Sequence, residues 1–230
     1  MIVNLLFIFF TAVFLRLEKK SINVFGLLPI QKRMLQLLVG FSLTALLLTF
    51  INLLFATVAN FSWKPVDHYS FSQVTSIIYD TFNSVIYEEL IFRGYVLYKL
   101  FQWFGEKKAV LITSALFGMY HWFSFGILGN YPSMIFVFFF TGLWGVMFAY
   151  AYTRTGTLLF TIGLHWGWNF FDQAVFNRNG NGWLKFVTTS DTTILNQQNS
   201  FLVTMLPAII FSMLMILYLV RYRKVEVVEQ

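Results

Sequence analysis

Seven apolar runs, each bounded by a polar break, constrain this chain more than any other feature of its sequence. They cover residues 2–15, 34–59, 72–98, 109–125, 134–152, 157–176 and 201–220. A helix needs roughly 20 residues to cross a hydrocarbon core of about 30 Å; the first run is short for this, and the others come near or exceed it. The expectation is an all-α fold, a polytopic helical membrane bundle of about seven transmembrane helices, with residues 1–230 forming one transmembrane domain. Composition leaves no water-soluble alternative. Hydrophobic residues make up 58% of the chain and charged residues 11%, against roughly 25% charged in soluble domains. A fold of this size has no interior large enough for 29 Phe, so the lipid bilayer must solvate much of the surface.

The net charge of +6 is spread over loops and helix ends rather than gathered in a patch, so no nucleic acid partner is expected. Segments 16–33, 99–108, 154 and 221–224 hold 12 of the 16 Lys and Arg residues. The alternate loops hold Lys64, Arg178 and Lys185, and Arg93 lies within a run. Basic loops stay on the cytoplasmic side, which puts the N-terminus outside and the C-terminus in the cytoplasm. The chain has no Cys, which excludes disulfides, thiolate chemistry and Cys-ligated zinc. No basic residue precedes the first apolar run, so a cleaved signal peptide is not expected. Residues 177–200, rich in Asn, Gly, Thr and Gln, read as an external loop, and His68 reads as a surface residue.

Polar residues inside the runs are the informative ones, because a charge at mid-bilayer costs at least roughly 2.5–3.5 kcal/mol. The third run carries Asp80, Glu88, Glu89 and Arg93, the fourth His121, and the sixth His165, Asn169 and Asp172. Glu89 and Arg93 are four apart and share a helix face, so they can pair. Glu88 points about 100° away from Glu89. His165 and Asn169 are also four apart and project together. With about 1.5 Å of rise per residue, Glu88, His121 and His165 lie roughly 15, 18 and 12 Å from the cytoplasmic ends of their runs. Taken singly, each has a plain structural reading: Glu89–Arg93 as an ion pair, a lone His as an interhelical hydrogen bond, Asp80 and Asp172 as solvated residues near the outer ends. At one depth in three runs, the set points to a single buried polar site.

These residues also carry a resemblance. Glu88-Glu89-Leu90-Ile91-Phe92-Arg93 resembles an E-E-x-x-x-R motif, Phe117-Gly118-Met119-Tyr120-His121 an F-x-x-x-H motif, and His165-Trp166-Gly167-Trp168-Asn169 an H-x-x-x-N motif. Together, over a motif core of about 87–171, they resemble the CAAX protease and bacteriocin-processing family of polytopic membrane proteins. The resemblance implies an intramembrane endopeptidase in a bacterial cell membrane, acting on a membrane-associated peptide or protein. It implies Glu88 as the base that activates water and His121 as a residue holding that water. Glu89 and Arg93 follow as a supporting pair, and His165 and Asn169 as oxyanion donors. The family has been described both as metallopeptidases and as glutamate peptidases; if metal-dependent, Glu88, His121 and His165 would hold zinc. There is no H-E-x-x-H helix, and the metal-free reading is adopted. The alternatives are a non-catalytic bacteriocin immunity or peptide-binding protein and a transporter-like scaffold. The chain has no internal duplication of the kind many transporters show.

Overall fold

A computed structural model of the chain describes residues 2–66, 70–176, 182–188 and 191–222. His68, Arg178, Arg223 and Lys224 lie outside the described residues. Among the described residues are seven α-helices: α1 (Ile2–Leu17), α2 (Ile30–Ala59), α3 (Phe71–Phe92), α4 (Tyr95–Ser124), α5 (Tyr131–Thr155), α6 (Leu158–Phe170) and α7 (Gln197–Arg221). Among the described residues three stretches are long and apolar enough to cross a membrane, at Ile22–Ala59, Tyr131–Thr155 and Gln197–Arg221. α3 and α4 carry the charges already noted, and the 13 residues of α6 span only about 20 Å. Large apolar side chains such as Phe9, Leu46, Leu111 and Phe139 point outward and are exposed, the surface expected of a membrane protein.

Local chemistry sets the helix starts. Ser70 and Gln73 form a reciprocal capping box at α3, Asn130 caps α5 ahead of Pro132, Thr157 caps α6 and Asn196 caps α7. Each supplies an acceptor to a backbone N–H that the first helical turn leaves unpaired.

Three expectations need correction. The run at 72–98 is not one helix: α3 ends at Phe92 with Arg93 as its C-cap, and α4 begins after Gly94. Glu88 therefore sits one turn from the end of α3, about 6 Å along the axis, rather than deep within a long span. The basic segment 99–108 is helical, belonging to α4, which has a single non-helical residue at Gly105. Finally, part of the polar segment 177–200 is ordered into β2 (Leu184–Val187), which pairs antiparallel with β1 (Ser62–Pro65). Thr193 N–H donates to Ala59 O at 2.9 Å beside it.

The closest packing lies between α2 and α6. A Cβ at Gly163 would collide with the Leu37 carbonyl oxygen, one at Gly167 with that of Phe41, and one at Gly40 would lie 2.6 Å from Phe160 O. Contacts that advance together along both helices mean that α2 and α6 run parallel. Small residues are how membrane helices approach this closely, because lipid supplies no hydrophobic force between them. At the basic end of the bundle, the Tyr95 hydroxyl donates to Glu18, and Lys99 pairs with it at 2.9 Å. The Tyr95 hydrogen bond first, and then Lys99, hold the Glu18 carboxyl below the usual carboxylate range, which ties the end of α1 to the start of α4.

Candidate active site

At the last turn of α3, Glu89 and Arg93 are both fully buried. Their spacing of four places them on one face, and Arg93 Nη1 donates to Glu89 Oε1 at 3.1 Å. The other guanidinium nitrogen, Nη2, donates to the Gly145 carbonyl of α5 at 3.3 Å. The guanidinium carbon lies 4.1 Å from the ring centre of Phe117 and 5.2 Å from that of Phe148. A buried cation is thus met by one carboxylate, one carbonyl and three aromatic rings, that of Phe92 being the third at 5.8 Å, the groups that stabilise a charge out of water.

The same carboxylate reaches α6. His165 Nδ1 lies 2.7 Å from Glu89 Oε1. A carboxylate only accepts, so Nδ1 carries the hydrogen of this bond and Nε2 is the nitrogen left facing Glu88 and Asn169. Glu88 Oε2 stands 3.7 Å from that Nε2, and Asn169 Nδ2 stands 3.4 Å from it. The imidazole stacks on Phe148, with ring centres 4.8 Å apart. Glu88, Glu89, Arg93, His165 and Asn169 therefore converge at one place between α3 and α6.

His121 is positioned separately. Its Nδ1 donates to Phe117 O, one turn back in α4, at 2.8 Å, which leaves Nε2 as the acceptor of the neutral ring. Phe117 connects it to the rest, with ring centres 4.5 Å from His121 and 6.1 Å from His165. His121, His165 and Asn169 line one cavity of about 240 Å³, whose walls include Phe140, Trp144, Trp168 and Met205. Glu88 is not among its lining residues. Asp80 bonds Ser76 at an exposed position, at 3.1 Å, and stands apart from the cluster.

Several polar atoms here are buried with no hydrogen-bond partner among the described residues: Glu88 Oε2, Glu89 Oε2, Arg93 Nε, Ser114 Oγ and Trp144 Nε1. Such atoms cost stability wherever packing alone decides. Among the described residues no group of three His, Asp or Glu side chains is arranged to hold a metal ion.

Gly145, Phe148 and Ser114 were not singled out by sequence reasoning. The first two contact Arg93 or His165 directly, and Ser114 packs against Gly145, where a Cβ would meet its own at 3.2 Å. Apolar and small residues in apolar helices carry no distinguishing signal.

Residues 70–171, from the N-cap of α3 to just past α6, match the family model described as type II CAAX prenyl endopeptidase Rce1-like. No curated protein and no solved structure matches the chain.

Proposed function

With residues 70–171 belonging to the type II CAAX prenyl endopeptidase Rce1-like family, we propose that this membrane protein is an intramembrane endopeptidase. It hydrolyses a peptide bond in a membrane-associated peptide or protein, using water activated by Glu88 without a metal. The observation that carries this reading is the 2.7 Å bond from His165 to Glu89. It joins the acidic pair of α3 to the His–Asn pair of α6 and brings Glu88 within 3.7 Å of the imidazole.

In this mechanism Glu88, whose Oε2 has no hydrogen-bond partner among the described residues, takes the proton of a water molecule as that water attacks the scissile carbonyl. His121 Nε2, left free to accept by the Nδ1 bond to Phe117, holds the same water. Glu89 neutralises Arg93 and fixes the ring of His165. His165 and Asn169, on one face of α6, supply the donors that stabilise the oxyanion. The proton on Glu88 then passes to the departing amine.

The test compares membrane peptides by mass spectrometry in cells carrying the wild type or Glu88→Gln at matched protein levels. Rates are then measured on the purified proteins with the peptides so identified. Loss of the base should slow cleavage by about 10²–10⁴-fold with no loss of folded protein. Cleavage by Glu88→Gln at near wild-type rate overturns the mechanism, and cleavage stopped only by a zinc chelator replaces it with a metal-dependent one.

The orientation proposed is N-terminus outside and C-terminus cytoplasmic, with all seven helices crossing or entering the bilayer. Single cysteines in this Cys-free chain test it. A membrane-impermeant thiol reagent should label positions 64 and 185 from outside and spare position 107. The reverse pattern overturns the orientation.

A further inference from the structure

Away from the Glu89–His165 cluster, a groove of about 440 Å³ runs between α2, α6 and α7 at the basic end of the bundle. Its mouth is formed by Gln36, Thr155 and Tyr222, and it continues inward to Leu43, Phe160 and Met215. Leu43 lies seven residues beyond Gln36 on α2, about 10 Å further along the axis. The lining therefore changes from polar and aromatic at headgroup level to purely apolar in the hydrocarbon region, as the membrane itself does.

Arg33 supplies a second, independent observation. It is only 8% exposed, yet among the described residues no carboxylate is within ion-pair reach of it. Its Nε donates to Leu28 O at 3.2 Å, and its Nη1 donates to Gln36 Oε1 at 2.9 Å. A guanidinium has five N–H donors, so most of this fork remains for another acceptor. Gln36 ties it to the mouth of the groove. A nearly buried cation without a counter-charge is costly unless an anion meets it. Lys32 and Arg221 stand on the same end of the bundle, where positive-inside topology puts the leaflet rich in anionic lipid.

We propose that this groove binds an anionic phospholipid of the surrounding bilayer, one acyl chain lying between α2, α6 and α7 and the phosphate held by Arg33. Guanidinium and phosphate match in charge and in forked geometry, while the groove accepts a flexible apolar chain without requiring polar partners at its inner end.

The experiment titrates the full-length protein, purified in non-ionic detergent, with phosphatidylglycerol or with phosphatidylcholine, and reads bound lipid by native mass spectrometry. Phosphatidylglycerol should bind more tightly. Arg33→Gln should weaken it by about tenfold and weaken phosphatidylcholine, whose choline already neutralises its phosphate, by less, and Arg33→Lys should restore most of the difference. Val39→Trp, which fills the groove from an exposed position and leaves Arg33 in place, should weaken both lipids. Equal phosphatidylglycerol binding by wild type and Arg33→Gln overturns the proposal. Should Arg33→Gln not fold, unchanged binding by Val39→Trp overturns it instead. A free isoprenoid alcohol that occupies the groove and displaces phosphatidylglycerol also overturns the assignment to phospholipid.

Discussion

The two faces of α6 are held in place by opposite means. Toward α2 the helix presents Gly163 and Gly167, and backbone meets backbone with only the small Thr44 hydroxyl beside Gly167. Toward α3 and α5 it presents His165, which reaches Glu89 through one hydrogen bond and rests on Phe148 through its ring. The first face is dry, closely packed and geometrically unforgiving. The second leaves buried polar atoms of Glu88 and Glu89 without partners. In lipid, helix association rests on packing and hydrogen bonds, so a rigid seam on one side lets the other side remain under-satisfied without losing its geometry. A site that must exchange partners during a reaction needs that division.

The largest expected effect breaks the polar face. Glu89→Gln removes the only carboxylate among the described residues that is paired with the fully buried Arg93 and the charge that holds His165. Leaving one member of a buried ion pair alone costs about 3–5 kcal/mol, read as a lower unfolding temperature of the purified protein and lower abundance in the membrane. A variant as stable as the wild type would mean that Arg93 is neutralised by something other than Glu89. Glu88→Gln, by contrast, should be silent in the same measurement.

A smaller effect probes the dry face. Gly163→Ala puts a methyl group against the Leu37 carbonyl, and overpacking of this kind costs about 1–3 kcal/mol. The distinguishing feature is that cleavage should fall with stability, because moving α6 away from α2 also moves His165 relative to Glu89. If Gly163→Ala lowers the unfolding temperature while the rate per folded molecule stays at the wild-type value, the seam supports the fold but does not position the site.

Much of this was legible in the sequence, and for identifiable reasons. Apolar runs mark helices because lipid demands both apolar side chains and internally satisfied backbones. The pairing of Glu89 with Arg93 follows from a spacing of four, as does the shared face of His165 and Asn169. The break between Phe92 and Tyr95 was not legible, since apolar residues continue on both sides of Arg93-Gly94 and a single Gly inside such a run carries no unique meaning. Extension of α4 through Lys99–Lys108 was hidden because a basic stretch between apolar runs reads equally as loop or as interfacial helix. The bond from Glu89 to His165 joins residues on different helices, and no local periodicity encodes it. Helical phase separates Glu88 from Glu89, yet both end up near the same imidazole, one at each of its nitrogens.

Parallel packing of α2 on α6 has a consequence for the order of assembly. Leu37 and Gly163 are more than half the chain's length apart in sequence, and contacts of such separation form late. During synthesis α2 enters the membrane long before α6 exists, and the Gly40 face of α2 must wait beside lipid until α6 arrives. A chain halted before Leu158 already contains Glu88, Glu89, Arg93 and His121, but nothing for Glu89 to hold except Arg93. The cluster is thus completed by one late docking event, and a ribosome that stalls in the first two-thirds of the message releases a chain that lacks His165 and Asn169.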